Sequence, residues 1–238
     1  IDTLADGEAR NNHLRRATFA NGAAAWNENG VLTGARHITL AGHFAYITAN
    51  AGLIVLDLDN PLAPRVTATI PLNDARATAL QFRYLWVTDA EGLKLFDVTH
   101  MDRPVAVPSA TLPFADARRV YLARTYAYVA AGADGLVIVN VTRPEHPQVF
   151  WRMPNPAFWL GQTPDTQDVT VASTNASLFA YVADGRNGMK VLQLFSPETN
   201  PNFYGFSPRP VPELIAWART PSPALAVAKG LDRDRAVD

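Results

Sequence analysis

Charged side chains recur at one position of this sequence in a pattern that suits the binding of an anion. An aspartate stands two residues before an arginine in Asp74-Ala75-Arg76 and in Asp116-Ala117-Arg118. Gly34-Ala35-Arg36 and Asp165-Thr166-Gln167 align with these motifs, each with one charge missing. Because the guanidinium fork matches a carboxylate, Arg36, Arg76 and Arg118 could together hold an anionic group. The alternative is that each arginine pairs with its own aspartate or with one of a neighbouring copy, since crowded charges are tolerated when they are paired.

A second candidate for binding is the aromatic, proline-rich stretch between Phe150 and Asp168. Aromatic side chains on a long loop of a rigid scaffold are frequent protein-binding elements. The rings are Phe150, Trp151, Phe158 and Trp159. We predict a partner-binding surface here. The alternative is that these rings cover the scaffold itself.

No pattern of a known catalytic or metal site accompanies these candidates. The sequence contains no Gly-rich phosphate loop and no Ser–His–Asp signature, and its five histidines lack metal-ligand spacing. The acids that precede the repeated glycines, Asp89, Glu91, Asp134 and Asp184, carry oxygens that suit calcium. Solvated turn acids are the simpler interpretation. We therefore assign no catalytic residue, no metal and no cofactor.

Composition narrows the class of partner. The net charge is -1, which provides no electrostatic basis for binding nucleic acid or an anionic membrane. The absence of cysteine excludes disulfides, thiolate metal sites and covalent c-type haem within this chain, and it leaves the redox compartment open. No apolar run reaches the roughly 18 residues that a membrane span requires. Because the sequence begins at Ile1, we expect either a removed signal peptide or part of a longer protein.

These candidates lie on a fourfold internal repeat. Each copy has an inner strand, a strand with an aromatic–X–aromatic core or a close variant, a glycine-led apolar strand, and a proline turn into an outer strand. The leading glycines Gly52, Gly92, Gly135 and Gly188 recur at spacings of 40, 43 and 53 residues. Periods of roughly 40–45 residues with four strands are typical of β-propeller blades.

The glycine-led strand explains why the copies must stack. The runs 53–56 and 136–139 are apolar without alternation, so we expect each to be covered on both faces. Asp57, Asp97 and Asn140 share the position at the end of this strand, where a short polar side chain can accept from nearby turn N–H groups. The sequence therefore predicts an all-β fold, a β-propeller built of four-stranded antiparallel blades.

The third copy resembles a known repeat. The string at 135–144, Gly-Leu-Val-Ile-Val-Asn-Val-Thr-Arg-Pro, preceded by Tyr126-Ala127-Tyr128, is similar to the LVIVD repeat. The resemblance covers about 35–209 in four copies, of which the second and fourth are degraded. It implies a bacterial or archaeal extracytoplasmic β-propeller, whether periplasmic, cell-surface or secreted. Some members occur beside multihaem cytochromes or other cell-surface machinery, and the motif carries no catalytic residues.

The ends of the chain are expected to be partial blades. Residues 1–34 form an irregular segment in which 6–25 could hold a short helix and 31–33 the last strand of a preceding blade. Residues 35–209 hold the four repeats. Within 210–238, residues 211–217 complete the fourth blade and 224–228 start another as an inner strand. Either the two ends share a fifth blade, or the chain is part of a larger propeller, which its abrupt end favours.

We predict a non-catalytic extracytoplasmic scaffold that mediates protein–protein interaction. One alternative is a structural subunit of a multihaem cytochrome electron-transfer assembly. The other is an enzyme or anion-binding protein that uses an arginine-lined channel mouth. The fold and the resemblance support this prediction, although fold alone does not determine function.

Overall fold

In the residues that it describes, a computed structural model shows antiparallel β-strands and two short 3-10 turns. It describes residues 14–18, 22–153, 160, 162–174, 177–201 and 205–228, and no helix in these ranges is long and apolar enough to cross a membrane. The chain divides into two compact units, Ile1–Pro113 and Phe114–Asp238. The strands are β1 (Leu14–Thr18), β2 (Gly22–Trp26), β3 (His37–Ala41), β4 (Phe44–Ala49), β5 (Gly52–Asp57), β6 (Arg65–Ile70), β7 (Ala77–Gln81), β8 (Tyr84–Asp89), β9 (Gly92–Asp97), β10 (Val105–Ala106), β11 (Leu112–Pro113), β12 (Arg119–Ala123), β13 (Tyr126–Ala130), β14 (Leu136–Asn140), β15 (Gln148–Arg152), β16 (Asp168–Thr174), β17 (Ser177–Ala183), β18 (Met189–Phe195) and β19 (Glu213–Ala218).

The first unit holds a hairpin and the sheets of the first two copies. β1 pairs with β2, β3 to β6 form an antiparallel sheet in chain order, and β7 to β10 form the next. The outer strand of the second sheet is interrupted, since β10 and β11 both pair with β9 and a 3-10 turn separates them. Pro104, Pro108 and Pro113 fall in this outer segment, where a missing N–H disturbs the ladder least.

The second unit holds the sheets of the third and fourth copies, β12 to β15 and β16 to β19. β19 completes the fourth sheet, as the sequence predicts for 211–217. A bulge interrupts the pairing of the third and outer strands after Val55, Ile138 and Val191, which occupy one repeat position. The predicted all-β propeller fold of four-stranded antiparallel blades is confirmed.

The third strand of the first copy is buried on both faces. Leu53 and Val55 belong to a cluster with Leu85 of the second sheet. Ile54 and Leu56 point to the opposite face and belong to a separate cluster. None of the four is exposed to solvent, which confirms the prediction from their unalternating pattern.

The start of the described chain differs from the sequence prediction. In the described part of 6–25, where a short helix was expected, β1 and β2 pair as antiparallel strands, because cross-strand pairing from Leu14–Trp26 to Thr18–Gly22 overrides the weak helical preference of the alanines. Residues 31–33 form turns instead of a strand. The Leu32 N–H donates to Asn27 Oδ1 at 2.8 Å, and Gly30 adopts a φ of 69°, both of which favour the turn conformation over an extended strand.

Truncation of a side chain on the third strand of a copy tests the burial of that strand. Ile138 is fully buried on β14, whereas Ile215 on β19 is 49% exposed. We expect Ile138→Ala to lower the free energy of unfolding by about 2–5 kcal/mol, through lost apolar transfer and a residual cavity. Ile215→Ala should cost less than about 1 kcal/mol. Urea unfolding measures both, and equal losses would contradict the assigned burial.

Candidate functional site

The arginines of the first unit meet at one carboxylate. Asp74 accepts from Arg76 Nε at 2.9 Å, and Arg36 Nη1 contacts its other oxygen. The Arg76 N–H bonds Thr88 O at 2.8 Å, which fixes the motif at the start of the inner strand. Burial opposes ionisation of Asp74, but hydrogen bonds and charge from Arg36 and Arg76 outweigh it and lower the pKa of that carboxyl.

In the second unit, one arginine contacts two carboxylates. Arg118 donates to Asp116 of its own motif at 2.7 Å and to Asp165 of the next copy at 2.9 Å. Gln167 donates to the same Asp165 oxygen at 2.7 Å. Burial disfavours the charged guanidinium, but the two carboxylates outweigh it and raise the pKa of Arg118.

Two glycines make room for these carboxylates. A Cβ at Gly132 would lie 2.1 Å from Asp116 Oδ2, and a Cβ at Gly185 would lie 2.1 Å from Asp165 Oδ2. Both glycines also have positive φ, at 54° and 51°. No other residue fits at either position without displacing the ion pair.

The three predicted anion ligands are therefore engaged in ion pairs. Arg36 and Arg76 come together on Asp74, and Arg118 lies in the second unit with Asp116 and Asp165. This is the alternative arrangement from the sequence analysis, in which each arginine pairs with an aspartate of its own copy or of a neighbouring copy. Their binding of an anion stays a prediction.

A buried ion pair supports the loop before Gly188. Asp184 Oδ1 accepts from the Asp165 N–H at 2.8 Å and from Thr166 Oγ1 at 3.0 Å. Its other oxygen accepts from Asn187 Nδ2 at 3.1 Å and contacts Lys190 Nζ. Asp184 and Lys190 are both buried, so the charges are satisfied within the protein.

The second copy holds the equivalent pair. Lys94 Nζ lies 2.6 Å from Asp89 Oδ2 and 2.7 Å from Glu91. Burial disfavours the ammonium, but the two carboxylates outweigh it and raise the pKa of Lys94. Asp89 and Asp184 are thus buried and paired, not the solvated turn acids that the sequence predicted, because a lysine two residues after the repeat glycine neutralises each of them.

The sequence contained a signal for these pairs. Lysine follows the leading glycine by two residues only in the second and fourth copies, in which Asp89 and Asp184 occupy the position that Ala49 and Ala131 hold in the other two. Ile54 and Val137 occupy the lysine position in the other two copies. Among the described residues, no three His, Asp or Glu side chains converge as a metal-ligand set.

The aromatic stretch is only partly described. Phe150 and Trp151 lie half-buried on β15 and pack against the core of the second unit. Phe150 meets the Tyr126 ring edge-on at 5.3 Å, and Arg209 lies over the Phe150 ring at 5.0 Å. Phe158 and Trp159 lie outside the described residues. A partner-binding role for the four rings stays a prediction.

One end of each sheet carries both the hairpin turns and the proline turns. N–H groups that open the proline turns bond carbonyls of the hairpin turns, from Val98 to Arg83 at 2.8 Å and from Val141 to Thr125 at 2.9 Å. Asp97 and Asn140 accept from turn N–H groups two residues on, at 2.8 and 2.9 Å, and Asp57 does the same, as predicted. We call this the hairpin end.

The hairpin end of the first unit exposes apolar side chains that the sequence reasoning did not single out. Phe82 is 89% exposed at the tip of the β7–β8 turn and adopts a φ of 55°. The equivalent positions are Gly42 and Arg124, with φ of 57° each. The exposed apolar residues of β3 and of the turns in this unit are Leu40, Leu62, Phe82 and Met101. The signal in the sequence was the bulky Phe82 at the turn position that Gly42 holds in the first copy.

Breaking the buried ion pair tests its contribution to stability. Lys190→Met leaves Asp184 buried without its counter-charge and should cost about 3–5 kcal/mol in denaturant unfolding. In the double variant Asp184→Asn/Lys190→Met, the amide oxygen retains the bonds from Asp165 and Thr166, so most of this loss should be recovered. If the double variant is as unstable as the single one, the charge imbalance is not the cause.

Comparison with known proteins agrees with this geometry. A family model described as the LVIVD repeat matches residues 34–69, 115–152 and 165–205. It leaves out the second copy, in which the outer strand is interrupted. No curated protein matches the sequence.

Solved structures share the fold at low identity. The extracellular domain of BT4673 from B. thetaiotaomicron is 15% identical, with a TM-score of 0.52 over 75% of this chain and 24% of that chain. The β-propeller domain of Cps50 (Swd1) from Myceliophteria thermophila is 13% identical, with a TM-score of 0.46 over 68% and 52%. PorZ, a surface component of the type-IX secretion system of Porphyromonas gingivalis, is 14% identical, with a TM-score of 0.42 over 68% and 20%.

This chain thus spans from a fifth to about half of the length of these three structures. At such identity the likeness to BT4673 supports the fold alone. With matched segments in both units and four sheets of the expected topology, three segments of this chain are copies of the LVIVD repeat, which is a β-propeller repeat.

Proposed function

We propose that the protein is a non-catalytic scaffold that binds another protein through the hairpin end of its blades. The observation that carries this proposal is Phe82, an almost fully exposed aromatic ring held on a backbone with positive φ. Exposure of the ring to water and the left-handed conformation both disfavour phenylalanine at this position, the latter by roughly 1–2 kcal/mol. A partner that buries the ring offsets both costs.

Each unit, taken by itself, exposes further side chains at its hairpin end. Leu40, Leu62 and Met101 add exposed apolar area around the turns of the first unit. In the second unit, Phe206 is 77% exposed, and Arg124 of the β12–β13 turn lies 5.7 Å from its ring. Aromatic and Arg side chains are enriched among the residues that dominate protein interfaces.

The family resemblance supports a location outside the cytoplasm, and we propose that location for this protein. The partner in this proposal is a protein of the cell-surface machinery, with a multihaem cytochrome as one candidate. Phe150, Trp151, Phe158 and Trp159 remain a second predicted contact surface.

Substitution of Phe82 tests the proposal. Phe82→Ser should weaken capture of the partner about thirtyfold, because loss of a buried aromatic anchor costs about 2 kcal/mol or more. Val105→Ser is the matched control, since Val105 is 63% exposed on the outer strand β10. Cross-linking in the native host followed by mass spectrometry measures capture. Haem absorbance in the captured chain would identify a cytochrome, and equal capture by both variants would refute the hairpin-end surface.

A second candidate is anion binding at the arginines of the first unit. Arg36 and Arg76 both contact the Asp74 carboxylate, and the Arg36 side chain is 43% exposed, so an anion from solution can reach its guanidinium. In the second unit, Arg118 contacts the carboxylates of Asp116 and Asp165 and its side chain is 29% exposed, which favours the first unit as the site.

Titration with succinate tests this candidate. We expect saturable heat with the wild-type protein and a loss of about tenfold or more in affinity with Arg36→Gln, which removes a charge-assisted bond. Arg65→Gln is the control, because Arg65 is exposed and pairs with Asp57 on β5. The absence of saturable heat with the wild-type protein would exclude a site for this dicarboxylate.

A further inference from the structure

The segment after β19 is joined to the fourth copy by two backbone hydrogen bonds. The same two bonds join the fourth copy to the third. The N–H of Gly185 donates to Ala224 O at 3.0 Å, and the N–H of Ala224 donates to Gly185 O at 2.9 Å. Gly132 and Thr166 exchange the same two bonds, at 3.1 and 3.0 Å. Thr166 is the middle residue of the motif that opens the fourth copy. Ala224 therefore takes, relative to the fourth copy, the place that Thr166 takes relative to the third.

A second contact gives the same register. The Val227 N–H donates to Asp168 Oδ2 at 3.0 Å, and in the first unit the Thr78 N–H donates to His37 Nδ1 at 3.2 Å. In both pairs the acceptor lies two residues after the middle residue of its motif, which is Ala35 for His37 and Thr166 for Asp168. The donor lies three residues after the equivalent residue of the next copy, which is Ala75 for Thr78 and Ala224 for Val227. Different side chains in different units thus give one alignment.

The fourth sheet also leaves one face half open. Along β18, Leu192 and Leu194 are buried in the cluster shared with the third sheet. Val191 alternates with them onto the opposite face and is half-buried, as is Tyr181, its direct partner on β17. The third strand of the first copy, by contrast, is buried on both faces. An apolar face of the fourth sheet is thus without full cover in the described part of the chain.

We infer that residues 224–228 are the inner strand of a fifth blade, and that their outer edge is a binding site for a β-hairpin. In every other copy the residue after the motif's middle residue donates its N–H to the second strand; the bonds run from Arg36 to Thr48, Arg76 to Thr88, Arg118 to Ala130 and Gln167 to Ala183, at 2.8–2.9 Å. Leu225 holds the equivalent position and is 65% exposed. Among the described residues, no carbonyl accepts from its N–H.

The other copies define the chemistry of the occupant. It has an aromatic–X–aromatic strand that pairs antiparallel with 224–228, followed by a glycine-led apolar strand that completes the cover of Tyr181 and Val191. A hairpin with the composition of a further LVIVD copy meets both requirements. The site is distinct from the hairpin-end surface proposed above.

Disulfide trapping tests both the site and its register. The chain has no cysteine, so any thiol is an introduced one. Arg119 pairs with Ala130 in the third sheet, and Ala226 is the equivalent of Arg119. The receptor is the full chain with Ala226→Cys, and the probe is a synthetic peptide of residues 126–140 with Ala130→Cys. The register control is the same peptide with Val129→Cys, because adjacent strand residues point to opposite faces.

We expect the Ala130→Cys peptide to form the mixed disulfide about tenfold faster than the Val129→Cys peptide, since only the former aligns the two Cβ atoms. Adding Leu225→Pro to the receptor removes the N–H donor and should abolish this difference, whereas Leu225→Ala should retain it. Equal rates for the two peptides, or a rate difference that persists with Leu225→Pro, would overturn the inference. Thermal unfolding of each receptor shows that it is folded.

Discussion

Burial of the third strand on both faces is the constraint on which the rest of the molecule depends. A strand such as β5 presents apolar side chains to two sides, so its sheet is stable only when something covers each of them. A repeat of this kind cannot fold alone, and stacking of copies creates the core. The bulges after Val55, Ile138 and Val191 lie at one shared repeat position and add local twist to the first, third and fourth sheets.

Polar contacts then determine how the copies are aligned. Apolar faces tolerate sliding, because dispersion and hydrophobic contacts are not directional. The links from Arg118 to Asp165, from Thr78 to His37 and from Val227 to Asp168 each join a defined residue of one copy to a defined residue of the next. The last two links join the same two repeat positions through different acceptor side chains, and the Arg118–Asp165 link has its equivalent in the Arg36–Asp74 ion pair. This explains why the charged motif at the start of each copy is used for assembly.

The hairpin end departs from this regularity. The turns there are held by Asx bonds from Asp57, Asp97 and Asn140, yet the residue at each turn tip differs between copies. Phe82 places an exposed ring at a turn position whose positive φ favours glycine. The copies share the residues that pack between sheets. The turn-tip residues of the hairpin end differ between copies, so they are the ones available to contact a partner.

The sequence by itself determined the repeat frame, the strands, the two-faced burial of β5 and the Asx position, since each follows from local pattern and period. The tertiary structure alone decided which charges are paired and which are buried. In the sequence, Asp184 has the pattern of a solvated turn acid. In the structure, Lys190 of β18 lies against it, and this contact forms only when the loop before β18 is folded. The N-terminal hairpin was missed for a related reason, since weak alanine propensity yields to strand pairing. Residues 224–228 resembled an inner strand in sequence, but their place in a fifth blade rests on the contacts of Ala224 and Val227, which join residues far apart in the chain.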